Sequence, residues 1–344
     1  MFLLAARLAV AILSGEAQAD RLSDHEKAVW TQFRPSIVTL YENDRASGVA
    51  ALIDDSGYFV THNGSVSGSS IEGKSYLGRD ITFSVVDRDS LTQLVLLKAN
   101  AWTSGSARPF RIPSEDESGG GSLLAVLPTG PIRAAYVSKH QPGVLKPSRR
   151  LVTLTEIRFE ASSQMVGGAL IFSESGELIG TLNATLDRPE SFANNVQNTV
   201  GGYQNSNARG GPVLRPPGIQ FQGQGQGPGE MTVAYAVGPE VVQHTLSGFL
   251  SPKHEAEYAA LGIFCTNAIG GGAYIQSVSP NSPAQKSGLR PGDILMSIGY
   301  NQIADQVAFA TVMLSQKVGE KIHVVIKRGH ATMWVDIIPA KAVE

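Results

Sequence analysis

The residues of this chain that could do chemistry are few: seven histidines, a single cysteine, and a serine pair at Ser162 and Ser163. His25, His140, His244, His254, His323 and His330 lack the paired spacing that a zinc site uses, so a metal enzyme is not supported. Cys265 lies in an apolar, strand-like run and reads as a buried small hydrophobe rather than a reactive thiol. Glycine runs at 118–121 and 270–272 lack the Lys-Ser/Thr that completes a phosphate-cradling loop and read as turns. What remains is His62, in the stretch GYFVTHNGS over 57–65, and the stretch QMVGGAL over 164–170. The second places a Gly-Gly turn before an apolar strand and puts Val166, which has no nucleophilic atom, in the position just ahead of that turn.

The elements around these stretches are short. Residues 22–34 carry Leu22, Val29, Trp30 and Phe33 at helical intervals, and Pro35 ends the run. From Ser36 onward, segments such as IVTLYE, SGVAALID, GYFVTH, DITFSVVD, SLLAVLP, LVTLTEIRFE and GALIFSE are rich in Val, Ile, Leu, Thr and Phe and are separated by Gly, Asp, Ser and Asn. Many short strands with close turn signals predict an all-β barrel or sandwich. Between 187 and 230 the chain turns Gly-, Gln-, Asn- and Pro-rich and predicts a disordered insert, after which MTVAYAV resumes the β domain and VGPEVVQHTLSGFL reads as a helix leading out of it. From about 257 a small mixed sheet with helices is expected, with a helical run at DQVAFATVMLSQ.

At 344 residues the chain fits about two domains. With 42% apolar and 17% charged residues and a net charge of -2, nothing points to nucleic acid or an acidic membrane as partner. The opening MFLLAARLAVAILSGEAQAD has one arginine, a short apolar run and the small-x-small ending Ala17-Gln18-Ala19; it reads as a secretory signal over 1–19, cleaved before Asp20. No later segment reaches spanning length, so the mature chain is expected to be periplasmic or secreted, without disulfides because Cys265 has no second cysteine to pair with.

The last part, 257–341, resembles the PDZ domain attached to HtrA/Deg proteases, on the strength of Leu261-Gly262-Ile263, Ser279-Pro280-Asn281-Ser282-Pro283-Ala284, Gly288-Leu289 and Pro291-Gly292-Asp293-Ile294-Leu295. The resemblance implies that Leu261, Gly262 and Ile263 present backbone N–H groups to a terminal carboxylate while the peptide adds as a strand. Ile263, Phe309 and Met313 are the candidate apolar lining, with core packing the competing role for the helix residues. Within a first domain over 20–250, the stretch from about Pro35 to Leu250, apart from the insert at 187–230, resembles the trypsin-like double β-barrel of the same family. There the catalytic histidine, aspartate and serine align with Gly64, Gln93 and Val166, and Gln164 with Met165 stands in the oxyanion loop where the family has glycine first.

Glycine cannot take a proton, neutral glutamine cannot stabilise an imidazolium, and valine cannot attack a carbonyl. The expectation is therefore a mainly β protein, a trypsin-like double β-barrel followed by a small α+β PDZ domain, acting as a pseudoprotease that needs no cofactor. It would bind polypeptide C-termini or unfolded segments. The resemblance also implies a possible homotrimer, with Trp30 and Phe33 as contacts unless they pack on their own domain, or assembly with active relatives as a structural or regulatory subunit. The alternative is an active serine endopeptidase with a relocated site built from His62 and Ser162 or Ser163, for which a shift of two to four residues displaces each side chain by several ångströms.

Overall fold

A computed structural model describes residues 19, 21–68, 70–111, 122–145, 150–159, 168–182 and 232–342. The expected signal segment, the 187–230 insert, Ser162, Ser163, Gln164, Met165 and Val166 lie outside the described residues. Contacts divide the chain into two units, one ending at Pro239 and the other built on Glu240–Glu344 together with Arg149–Thr153.

The first unit opens with helix α1, Asp24–Phe33, started by a capping box in which the Ser23 and Glu26 side chains each serve the other's backbone. Glu26 then does a second job. It is 4% exposed and accepts from Arg133 Nε at 2.9 Å, Arg133 Nη2 at 2.8 Å and Ser122 Oγ at 2.8 Å. This charge-assisted set holds the carboxyl far below the ordinary glutamate range. At the other end of the helix, Phe33 is 6% exposed, stacks on Phe172 at 4.8 Å and meets Phe110 edge-on at 5.5 Å. Phe33 is thus spent on its own unit and is not free for a subunit contact; Trp30 packs edge-on against it at 5.3 Å.

A closed barrel follows, made of β1 (Ile37–Glu42), β2 (Arg45–Asp54), β3 (Tyr58–His62), β4 (Ser70–Ser75), β5 (Asp80–Arg88) and β6 (Leu94–Ala99), in the order β1-β2-β3-β6-β5-β4 with β4 returning to β1. On β5 the alternation is plain: Ile81, Phe83 and Val85 turn inward while Asp80, Thr82, Ser84 and Val86 face solvent. Val38, Leu40, Leu52, Phe59, Phe83 and Leu97 fill the interior.

The second sheet contains β7 (Ser122–Leu127), β8 (Gly130–Leu145), β9 (Arg150–Phe159), β10 (Leu170–Ser173), β11 (Leu178–Thr181) and β12 (Thr232–Val237), in the order β11-β10-β7-β8-β9-β12. Its two edges meet at an antiparallel bridge between Leu182 and Ala236, which rolls the sheet toward closure around Leu123, Ile157, Phe159, Ile171 and Ala234. Two successive antiparallel barrels are the trypsin-like arrangement expected from the sequence.

In the second unit come α2 (Pro239–Phe249), β13 (Ala259–Ala260), β14 (Ile263–Asn267), β15 (Ala273–Val278), the one-turn α3 (Pro283–Lys286), β16 (Ile294–Ile298), β17 (Asn301–Gln302), α4 (Gln306–Ser315), β18 (Ile322–Arg328), β19 (Ala331–Ile337) and β20 (Ala340–Lys341). Five strands run β14-β15-β16-β18-β19, with β17 hairpinned onto β16 and β13 paired to β20. Leu261, Ile275, Leu289, Leu295, Ile298, Val324 and Ile326 form the core. The Pro291-Gly292-Asp293 turn has a clear physical purpose. Asp293, 1% exposed, receives a two-point contact from Arg328, Nε to Oδ1 at 2.6 Å and Nη2 to Oδ2 at 2.8 Å, which ties the turn to β18.

Candidate functional site

Of the residues that the sequence reading singles out in the first unit, His62 has the most closely packed surroundings among those described. Sequence reasoning treats it as a polar loop residue; in the fold it is the last residue of β3, is 4% exposed and points inward. The signal available for this is the continuous apolar run Tyr58-Phe59-Val60 just before it, since β3 lies between β2 and β6 and Phe59 to His62 are all buried. The chain then tightens into a 3-10 turn over Asn63–Ser65, and the Gly64 N–H donates to His62 Nδ1 at 3.0 Å.

That hydrogen bond dictates the tautomer. A neutral imidazole whose Nδ1 accepts must carry its proton on Nε2. Burial drives the ring's pKa down to about 4, so the neutral form is the one present near neutrality. Nε2 is buried and has no hydrogen-bond partner among the described residues. A general base needs a free lone pair facing the nucleophile, and here the only nitrogen not already accepting is a donor.

The ring also explains two glycines. A Cβ on Gly64 would stand 3.1 Å from His62 Nδ1, and one on Gly168, whose φ is +73°, would stand 3.2 Å from the same atom. The imidazole therefore packs against the backbone of Gly64, which the sequence reading sets at the histidine position, and against Gly168. No side chain can be placed at Gly64 without His62 giving way.

Gln93 completes the picture. It is 8% exposed, sits in the left-handed region at φ +60°, and sends Nε2 to the Ser90 carbonyl at 2.6 Å. Its backbone carbonyl accepts from the Asn63 N–H at 2.7 Å and its Oε1 from Asn63 Nδ2 at 3.3 Å, while Asn63 Oδ1 accepts from Arg88 Nη1 at 2.6 Å. This side chain, which the sequence reading sets at the aspartate position, is committed to holding a loop. The nearby Asp89 likewise takes the Thr92 N–H at 2.6 Å and the Thr92 hydroxyl. Among the described residues, no three His, Cys, Asp or Glu side chains gather as a metal site would require.

The second unit offers a different kind of site. The Leu261 carbonyl accepts from the Ala284 N–H at 3.0 Å and the Gly262 carbonyl from the Ser279 N–H at 2.8 Å. Because peptide units are planar and trans, the N–H groups of Gly262 and Ile263 must point the opposite way. The register agrees: Ile263 faces Val278 as a non-hydrogen-bonded pair, which directs the Ile263 N–H to the free edge of β14. Gly262 is at φ +73°, and a Cβ there would lie 2.4 Å from Ser282 Cβ, so only glycine lets the loop fold this way.

The wall opposite β14 is α4, whose first N–H is held by Asn267 Oδ1 at 3.0 Å and whose Ala308 N–H is capped by Asp305 at 2.8 Å. Of the residues assigned to the lining, Met313 is 5% exposed and belongs to the core, Ile263 and Phe309 are partly buried against it, and Leu261 is 2% exposed and anchors the loop from inside.

Residues 238–338 match the family model described as a PDZ domain. Among curated proteins, the serine protease Do-like HtrA of Lactobacillus helveticus is 25% identical over 289 residues, 79% of this chain and 62% of that protein. The match thus spans less than two thirds of that relative's length. The corresponding protein of Lactococcus lactis is 22% identical over 83% of this chain and 67% of its own. Serine protease HTRA1 of Xenopus tropicalis is 35% identical over 68 residues, 20% of this chain and 14% of that protein. Among solved structures, the HtrA-type protease AlgW with a tripeptide aligns with a TM-score of 0.61 at 15% identity, over 93% of this chain and 98% of that one. A serine endoprotease from Yersinia pestis aligns at 0.53 and 14%, over 94% and 100%. Both units of the chain are similar to HtrA-type proteins, the first in its trypsin-like β fold and the second in its match to the PDZ domain model.

Proposed function

We propose that this protein is a non-catalytic HtrA/Deg relative whose activity is binding: it captures the free C-termini of polypeptides along β14. The observation that carries the reading is the pair of N–H groups on Gly262 and Ile263, turned to the free side of the loop because both preceding carbonyls are taken from within the unit. A terminal carboxylate would accept from them, and the residues before it would add as a strand to the β14 edge. Loss of catalysis is supported by Gly64 and Gln93 at two of the aligned triad positions, by Val166 at the third, and by the buried His62 whose Nδ1 is already occupied. The apolar, small-x-small N-terminus supports export. One relative, AlgW, is solved with a tripeptide and with a decapeptide, which suits a peptide ligand here.

The test is fluorescence polarisation of the protein against peptides with free C-termini, each paired with its amidated twin. Binding that disappears on amidation is the expected result. Equal binding by both twins, or by neither, refutes carboxylate capture. In parallel, a serine-reactive phosphonate probe should leave the protein unlabelled and casein should remain intact; labelling at Ser162 or Ser163 would establish the relocated enzyme instead.

A further inference from the structure

The side chains of β14 divide by parity. Ile263, Cys265 and Asn267 share one face, and Phe264 and Thr266 share the other. The first face is the one turned to α4: Ile263 packs against the core, Cys265 belongs to it, and Asn267 Oδ1 accepts from the Gln306 N–H at 3.0 Å. Phe264, on the other face, is 60% exposed. Asn267 is the last residue of β14 and Gln306 the first of α4, so this hydrogen bond joins the two walls of the groove at the end away from Gly262. Asp305 already caps the helix through the Ala308 N–H, which leaves the Asn267 contact as a tie between strand and helix.

We infer that Asn267 is a specificity residue of the peptide groove: it closes the groove at the fifth residue from the C-terminus and selects a small side chain there. The inference rests on the carboxylate-capture reading of the second unit. Its register follows from backbone directions. The Ile263 N–H faces the free edge of β14, and in an extended strand the carbonyl of the same residue points the same way. The last peptide residue therefore pairs with Ile263, its carboxylate taking the N–H and its own N–H reaching the Ile263 carbonyl. Directions repeat at every second residue, so the third residue from the end pairs with Cys265 and the fifth with Asn267. The Ala268 N–H donates to the Gly272 carbonyl at 3.0 Å, away from the free edge, so the alternation still holds at this end of the strand.

Residues paired across antiparallel strands send their side chains to one face, with Cβ atoms about 4.5–5.5 Å apart. The last, third and fifth residues of the peptide thus all point toward α4, but they meet different surroundings. Beside Ile263, which is only partly buried, the last residue finds an apolar surface that Phe309 continues. Beside Asn267, the fifth residue meets a side chain that already spans the gap to the helix. Glycine or alanine leaves that bridge in place. Leucine or phenylalanine takes its space and breaks the hydrogen bond.

Fluorescence polarisation with the full chain tests this. The tightest binder of the amidation series is made as an octapeptide, labelled at its N-terminus, with Gly, Ala, Leu or Phe as the fifth residue from the end. The Leu and Phe peptides should bind about fivefold more weakly than the Ala peptide, the effect of one lost hydrogen bond. The readout is the Leu-to-Ala ratio of Kd, in which any uniform change of affinity cancels. In Asn267→Ala the ratio should fall to about one, because no bridge is left to break. Asn267→Asp keeps an oxygen for the Gln306 N–H and should hold the ratio of the parent. The same exchanges at the fourth residue, which points away from α4 beside Thr266, should change affinity by less than about twofold. Equal affinity of the parent for all four peptides, or the same ratio in parent and Asn267→Ala, overturns the inference while leaving carboxylate capture standing. Absence of any amidation-sensitive peptide overturns carboxylate capture, and this inference with it.

Discussion

Lowering the pH from 7.5 to 5 should destabilise the first unit through one residue, His62. The unfolded chain gives this imidazole an ordinary pKa near 6.5, whereas burial in the fold holds it at about 4. The unfolded state therefore binds the proton first. His62 leaves stability untouched above about 6.5, subtracts from it as pH falls through the window between the two values, and subtracts no more below about 4. At pH 5 the unfolded ring is protonated with an excess of about 1.5 units while the folded ring remains neutral. At about 1.36 kcal/mol per unit, the loss is about 2 kcal/mol there, approaching about 3 kcal/mol at the acid limit. The assay is urea unfolding followed by tryptophan fluorescence in a Trp334→Phe background, so that Trp30 and Trp102 of the first unit report. The parent is compared with His62→Leu, because carboxylate titrations shared by both proteins cancel in the difference. Leucine gives up the Gly64 hydrogen bond and so offsets the curve by a constant. Its gap from the parent should shrink by about 2 kcal/mol between pH 7.5 and 5. Parallel pH curves for the two proteins would refute the buried, neutral imidazole.

Three further outcomes follow from the same geometry. Restoring the family triad with Gly64→His, Gln93→Asp and Val166→Ser should recover less casein cleavage while His62 remains than when His62→Gly is added, because the new Cβ would stand 3.1 Å from His62 Nδ1 and displace the ring. Glu26→Ala should lower the stability of the first unit by roughly 2–3 kcal/mol in urea unfolding, near the low end for a broken ion pair because Arg133 keeps access to water. Gly262→Ala should remove binding to free C-terminal peptides and cost the second unit roughly 1–3 kcal/mol, since a Cβ at φ +73° meets Ser282; retained affinity would show that Gly262 is not part of the carboxylate loop.

The strands were legible because they are short, β-branched and punctuated, so period and turn chemistry point to the same elements. Phe83 between Thr82 and Ser84 shows the agreement at a single position. Two facts were not legible. Phe33 sits on a helical stripe in sequence, and a stripe says only that one face is covered; it cannot say whether the cover is Phe172 of the same unit or another chain. His62 stands two residues before the aligned position, and spacing along an extended strand places it several ångströms away. The 3-10 turn at Asn63–Ser65 folds Gly64 back so that its amide meets the ring. Local turn geometry decides such contacts, and residue types do not encode it.

The loop framework also serves the fold by itself. Gly168 N–H donates to the Leu182 carbonyl at 3.1 Å and Leu182 N–H to the Ala169 carbonyl at 2.9 Å, while Leu182 bridges to Ala236 across the mouth of the second sheet. The turn after Val166 is therefore part of what brings β11 and β12 together, and its glycine is required by closure at φ +73° whether or not a serine precedes it. The same reasoning applies at Gln93. Its left-handed backbone and its hydrogen bonds to Asn63 and Ser90 hold the β3 and β6 ends in register, a role that glutamine fills without charge. Catalysis asks more of these positions than the fold does. On the proposed non-catalytic reading, an aspartate, a histidine and a serine can be absent while the hydrogen bonds that close the barrels remain, provided the space is filled. His62, lying against the backbone of both Gly64 and Gly168, fills it.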